Sequence, residues 1–157
     1  VELEVRPIDP MELTKRFLED VLRDMGVQAK VEKIDDQDEN LVFEIVGKDL
    51  GLVIGRRGQT LDALQLLVNV YANRHTQEHV RIVLDAERFR ERRRKTLQDL
   101  SLRLANQVVR TRKEVVLEPM PASERRIIHY QLQNHPKVKT MSKGEEPNRR
   151  IVITLKS

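Results

Sequence analysis

Two glycines in the segment Val53-Ile54-Gly55-Arg56-Arg57-Gly58 form the arrangement in this 157-residue chain best suited to holding an anion. Without Cβ atoms at Gly55 and Gly58, a sugar-phosphate backbone can come close to the main chain. The first amides of a following helix turn partial positive charge toward the same place, and Arg56 and Arg57 add two full charges. A tight turn with two solvated arginines explains the same residues without a ligand. A second arrangement is Arg125-Arg126-Ile127-Ile128-His129. Four residues apart on a helix, Arg125 and His129 share a face and could offer a planar fork and an imidazole to one phosphate or base edge. The plainer reading packs His129 at a sheet edge. Arg88, Arg90, Arg92, Arg93, Arg94 and Lys95 crowd the first turns of another helix, where they oppose its dipole. They are either a phosphate-facing strip or a solvated face partnered by Asp85, Glu87 and Glu91. His75-Thr76-Gln77-Glu78-His79 matches the H-x-x-E-H signature of inverted zinc peptidases. That chemistry needs both rings on one face of a long helix, whereas this segment leaves a helix and enters a strand. With no Ser/His/Asp arrangement and no G-x-x-x-x-G-K-[ST] loop, neither an enzyme nor a cofactor is expected.

These residues sit in a readable order of elements. Asp9-Pro10-Met11-Glu12 opens a helix, with a capping residue, a proline at the first helical position and capping-box spacing. Leu13, Phe17, Val21 and Met25, flanked by Leu18 and Leu22, form its apolar stripe, and Gly26 ends it. Alternation at Val27, Ala29 and Val31, then at Leu41, Phe43 and Ile45, gives two strands. The polar run Asp35-Asp36-Gln37-Asp38-Glu39-Asn40 is the turn between them. A short helix reaches Ile54. A longer one buries Leu61, Leu64, Leu67 or Val68, and Tyr71, and 80–84 is a third strand. Asp85 can cap the next helix, which runs to about Lys113 with Phe89, Thr96, Leu97, Leu100, Leu104 and Val108 as its stripe. Residues 115–117 form a short strand stopped by Pro119 and Pro121. A helix from Ala122 or Ser123 ends at His135-Pro136. Strands at 138–141 and 150–155 close the chain around the loop Ser142-Lys143-Gly144-Glu145-Glu146-Pro147-Asn148. The boundary falls near Asp85, dividing the chain into 1–85 and 86–157.

Charge divides the chain at a different place, ahead of the paired glycines. Residues 1–48 carry 7 Lys/Arg against 13 Asp/Glu, a net −6, and residues 49–157 carry 22 against 12, a net +10. Attraction for a polyanion therefore lies in the last two-thirds. Aromatics are only 3% of the chain, so nucleic-acid binding here must rest mainly on backbone contacts rather than stacking. There is no cysteine, which excludes disulfides, thiolate metal sites and a cysteine nucleophile. No apolar run approaches the length of a membrane span, and Val1-Glu2-Leu3-Glu4 is acidic where a signal peptide is basic. A cytoplasmic location without membrane insertion is expected, and the absence of an initial methionine suggests a fragment or processed form.

The helix-strand-strand-helix-helix-strand order around Gly55-Arg56-Arg57-Gly58 resembles a type II KH domain over roughly residues 9–85. The resemblance implies an α+β fold, a three-stranded sheet with helices on one face, and a clamp on about four nucleotides of single-stranded RNA or DNA. By position, Gly55, Arg56, Arg57 and Gly58 would grip the backbone, while Ile54 and Leu61 would help floor the groove. Residues 86–157, with Arg125 and His129 on a helix before a hairpin carrying Arg149 and Arg150, resemble the small α/β Arg-x-x-x-His (R-three-H) domain. Its single-stranded nucleic-acid association would place Arg125, His129, Arg149 and Arg150 on one basic face. The two modules in this order resemble the bacterial Jag/KhpB (SpoIIIJ-associated) family. That resemblance implies an RNA-binding protein and RNA chaperone linked to cell-wall growth, cell shape and sporulation. It also implies a small single-KH partner, or self-association, and a further N-terminal domain not found here. The rival from another class is a protein-docking module built on exposed helices, edge strands and the acidic first third. A weaker rival is a nuclease using Asp35, Asp36, Asp38 and Glu39, which look instead like a hairpin tip.

Overall fold

The computed structural model describes residues 7–35 and 41–157. The first of two compact units ends at Arg90, and the second runs from Glu91 to Ser157. Helix α1 (Pro10–Asp24) starts where the local chemistry dictates: Pro10 occupies the first turn and the Asp9 carboxylate accepts the Met11 N–H at 3.1 Å. Its buried face is Thr14, Leu18 and Leu22, spaced by four. Strands β1 (Ala29–Asp35) and β2 (Leu41–Gly47) pair antiparallel from Ala29 opposite Gly47 to Asp35 opposite Leu41. Three of the hairpin-tip acids, Asp36, Asp38 and Glu39, lie outside the described residues. Helix α2 (Gly51–Ile54), a single 3-10 turn (Arg56–Gly58) and helix α3 (Gln59–His75) follow, then β3 (Ile82–Ala86), which runs parallel to β2. The sheet order is β1-β2-β3. Val31, Phe43, Ile45, Ile82 and Leu84 alternate with more exposed neighbours, so one face of the sheet meets Leu18, Leu22, Leu61, Leu64 and Val68 of the helices. Val68 rather than Leu67 takes the buried place on α3, and Leu67 is half exposed.

The outer edge of β3 is closed by α3. Asn73 accepts the Val80 N–H at 2.9 Å and donates to the Val80 carbonyl at 2.9 Å. Asn69 does the same for Ile82, at 2.7 and 2.8 Å. Gln65 accepts the Leu84 N–H at 2.9 Å, and Arg90 Nε donates to the Leu84 carbonyl at 3.1 Å. Four helical residues rise about 6 Å, and two strand residues about 6.7 Å. Side-chain amides at i, i+4 and i+8 can therefore track alternate strand residues and stand in for a fourth strand.

In the second unit, α4 (Phe89–Thr111), β4 (Val115–Val116), α5 (Ala122–Leu132), β5 (Val138–Lys143) and β6 (Arg150–Leu155) follow in order, and the unit division falls within α4. The antiparallel sheet has the order β4-β6-β5. Leu97, Ala105 and Val108 of α4, with Ile128 and Leu132 of α5, close over Val138, Ile151 and Ile153. Ser101 rather than Thr96 lies on the buried face of α4. No helix among the described residues is long and apolar enough to cross a membrane.

Candidate nucleic-acid interface

The loop between α2 and α3 needs both of its glycines. Gly55 has φ +71° and Gly58 φ +79°, in the left-handed region that L side chains rarely adopt. A Cβ on Gly55 would collide with Thr60, and one on Gly58 with the ring of Phe89. Gly58 is buried, Gly55 half-buried and Arg56 exposed. Arg57, at φ 57°, is half-buried, so it is less mobile than a solvated arginine in a turn. No side chain caps the start of α3, which leaves its first amides directed at the loop. Ile54 is 9% exposed and Leu61 fully buried in the core. Leu61 thus supports the loop from below and presents no surface of its own, because the turn that exposes Arg56 rotates Leu61 inward.

Phe89 behind Gly58 belongs to this site although it follows β3. So does Arg90, which pairs with Asp62 on the first turn of α3 and bonds Gln65 at 3.1 Å. Asp85, read as a cap, accepts the Arg90 N–H at 3.2 Å. The spacing gave no signal for these contacts, since their partners lie on a different helix. The basic run is therefore not a uniform phosphate strip. Arg90 is engaged here, and Arg93 makes a two-pronged pair with Glu124 at 3.0 and 3.1 Å. Arg88, Arg94 and Lys95 are exposed. His75 ends α3 against Tyr71, and His79 lies in the connection to β3, so the two rings do not share a helix face.

In the second unit, Arg125 and His129 both turn toward the sheet side of α5. Arg125, read as a surface cation, is 7% exposed. It donates to the Met120 carbonyl at 2.7 Å and to Glu146 at 2.7 Å, tying the start of α5 to the β5–β6 loop. Two of its nitrogens are thereby engaged on the protein, and the carbonyl and carboxylate compensate the buried guanidinium. His129 is held between the Thr140 hydroxyl at 2.6 Å and the Ser142 hydroxyl at 2.8 Å, on the edge strand β5. Burial lowers its pKa from the ordinary 6.5, and the nearby charges of Arg125 and Arg149 lower it further. Arg149 donates to the Gly144 carbonyl at 2.7 Å and Arg150 to the Asn148 carbonyl at 3.2 Å. Both are half-buried at the base of the loop.

Residues 12–84 match the KH domain of KhpA/KhpB proteins, and residues 95–155 match the R-three-H domain. The RNA-binding protein KhpB of Bacillus subtilis is 39% identical over 155 residues, which are 97% of this chain and 74% of that protein. This chain belongs to the KhpB/Jag family. The KhpB of Clostridium symbiosum is 45% identical over 142 residues, 89% of this chain and 64% of the relative. That of Lactiplantibacillus plantarum is 39% identical over 140 residues, again 89% of this chain but 43% of the relative. These KhpB proteins are named as RNA-binding, and neither matched domain is an enzyme family.

Proposed function

We propose that this chain is a non-catalytic, single-stranded RNA-binding protein of two modules, 1–85 and 86–157. The loop Gly55-Arg56-Arg57-Gly58 holds one stretch of backbone. The observation that carries the reading is the pair of glycines at positive φ beside an exposed Arg56 and an uncapped α3 terminus. Backbone amides, a helix N-terminus and a mobile cation then converge on one phosphate-sized place. Ile54 and Leu61 hold that loop from the core side. In the second module the exposed cations supply the grip, while Arg125 and His129 hold its geometry with Arg149 and Arg150 at the loop base. Single-stranded DNA is the competing ligand. As in the KhpB/Jag resemblance, the role is that of an RNA chaperone and post-transcriptional regulator acting in the cytoplasm. It serves cell-wall growth and cell shape, and sporulation in spore-forming hosts.

Fluorescence anisotropy of labelled RNA and DNA single strands and an RNA duplex at two salt concentrations tests the reading. Neutralising about five phosphates gives a log–log slope near −3.5 on salt. Reversing Arg56 and Arg57 to Asp together should remove most binding through the first module with little change in melting temperature. Retained binding, or collapse of the fold, would refute the loop's role.

A protein-docking role is also favoured by one observation. Leu66, Leu67 and Val70 form an apolar face on α3, and they are 66%, 50% and 46% exposed. We propose this face as the seat of a single-KH partner or a second copy. A complex on sizing that survives nuclease treatment, and is lost on Leu66→Lys, would support it. A complex destroyed by nuclease would oppose it.

A further inference from the structure

The five aromatic side chains have unequal fates. Phe17 and Tyr71 stack on one another at 4.2 Å between centroids, Phe43 is in the core, and Phe89 backs Gly58. Tyr130 alone is open, 72% exposed on α5. It borders an open cleft of about 450 Å³ between α5 and β5, within the second unit. Three cations, Arg126, Lys139 and Lys156, line the same cleft with Gln133 and the edge of His129, and no acidic residue does. Arg126 lies four residues before Tyr130, so both occupy one face of the helix. Lys139 rises from the edge strand opposite, and Lys156 is held in place by donating to the His135 carbonyl at 2.6 Å.

A tyrosine presents a flat apolar ring with a polar tip, which suits it to an interface where one face is covered and the hydroxyl stays wet. Cations on both walls and a ring with an amide at the rim are the equipment for one nucleotide: phosphates to the walls, a base on the ring. Gln133 can donate and accept, so it can meet a base edge without demanding one base. We propose that the α5–β5 cleft is a nucleotide subsite in which Tyr130 stacks a base of a single strand while Arg126 and Lys139 hold the flanking phosphates. This rests on the single-strand reading of the chain. It moves the contact surface of the second module from Arg125 to the neighbouring face of the same helix.

The test is anisotropy with the full chain and a short labelled RNA single strand, comparing Tyr130→Ala, Tyr130→Phe and the pair Arg126→Ala/Lys139→Ala. Stacking by one base predicts a loss of about five- to a hundredfold in Tyr130→Ala, with Tyr130→Phe near the parent protein. The double cation variant should flatten the log–log salt slope by about 1.4, two single-strand phosphate contacts. All three positions are on the cleft surface, so unchanged thermal midpoints are expected. Parent-level binding by Tyr130→Ala, or an equal loss in Tyr130→Phe, would overturn the subsite while leaving the RNA reading intact. A parent chain that binds no single strand at low salt would overturn both.

Discussion

Replacing Arg125 by alanine separates a residue that grips a ligand from one that holds the fold. Arg125 is 7% exposed and donates to the Met120 carbonyl and to Glu146, both at 2.7 Å. Truncation leaves the Met120 carbonyl buried without that donor, a cost of about 1–3 kcal/mol. Glu146 is 58% exposed, so solvent screens its share of the pair to about 1 kcal/mol or less. Together the loss is about 1–4 kcal/mol. For a unit of this size each kcal/mol lowers the midpoint by about 4–8 °C, so the second unit should melt about 4–30 °C lower. Arg126→Ala, on the exposed face of the same helix, should change stability by less than about 0.5 kcal/mol. Calorimetry reads the midpoints, and amide exchange shows whether protection is lost around Met120 and the β5–β6 loop. Arg125→Lys should not rescue, because an ammonium cannot span both acceptors as the fork does. A variant that keeps its midpoint and its exchange pattern but loses RNA affinity tenfold would refute this assignment and restore Arg125 as a direct contact.

Three further outcomes follow from the geometry. Gly58→Ala places a Cβ against Phe89 at a positive φ, so it should destabilise the first unit by about 1–3 kcal/mol and weaken RNA binding, both read from one sample by melting and anisotropy. Asn69→Ala strips both edge groups of Ile82 of their partner. Exchange at the Ile82 amide should rise sharply, and unchanged protection there would mean that the helix does not close the strand edge. The lowered pKa of His129 means that the unfolded chain takes up its proton at higher pH than the folded one. The stability contributed by the neutral ring is present above about pH 6.5 and is lost as pH falls through the folded value. Midpoints measured over a pH series should therefore decline on acidification, and His129→Gln should flatten that decline.

Much of the first unit was written in local chemistry. Asp9 and Pro10 start α1, period-two alternation at Phe43 and Ile45 marks β2, and two glycines bracket arginines where no other residue fits the backbone. These features are legible because each depends on residues within a few positions along the chain. Partners across the fold carry no such mark. Helical spacing placed Arg125 and His129 on one face, but only tertiary packing turned that face toward Met120, Thr140, Ser142 and Glu146. The run from Arg88 to Lys95 reads as one strip of charge. Packing drew Arg90 to Asp62 and Arg93 to Glu124, engaging two of its members in ion pairs and leaving them only partly exposed. The exposed face of α5 was equally hidden, since Arg126 and Tyr130 become a site only when Lys139 and Lys156 arrive from the sheet beside them. The chemistry available was set by residue type. Whether a charge faces solvent or a carbonyl was decided by desolvation, because a guanidinium that packing buries must find its acceptors inside the protein.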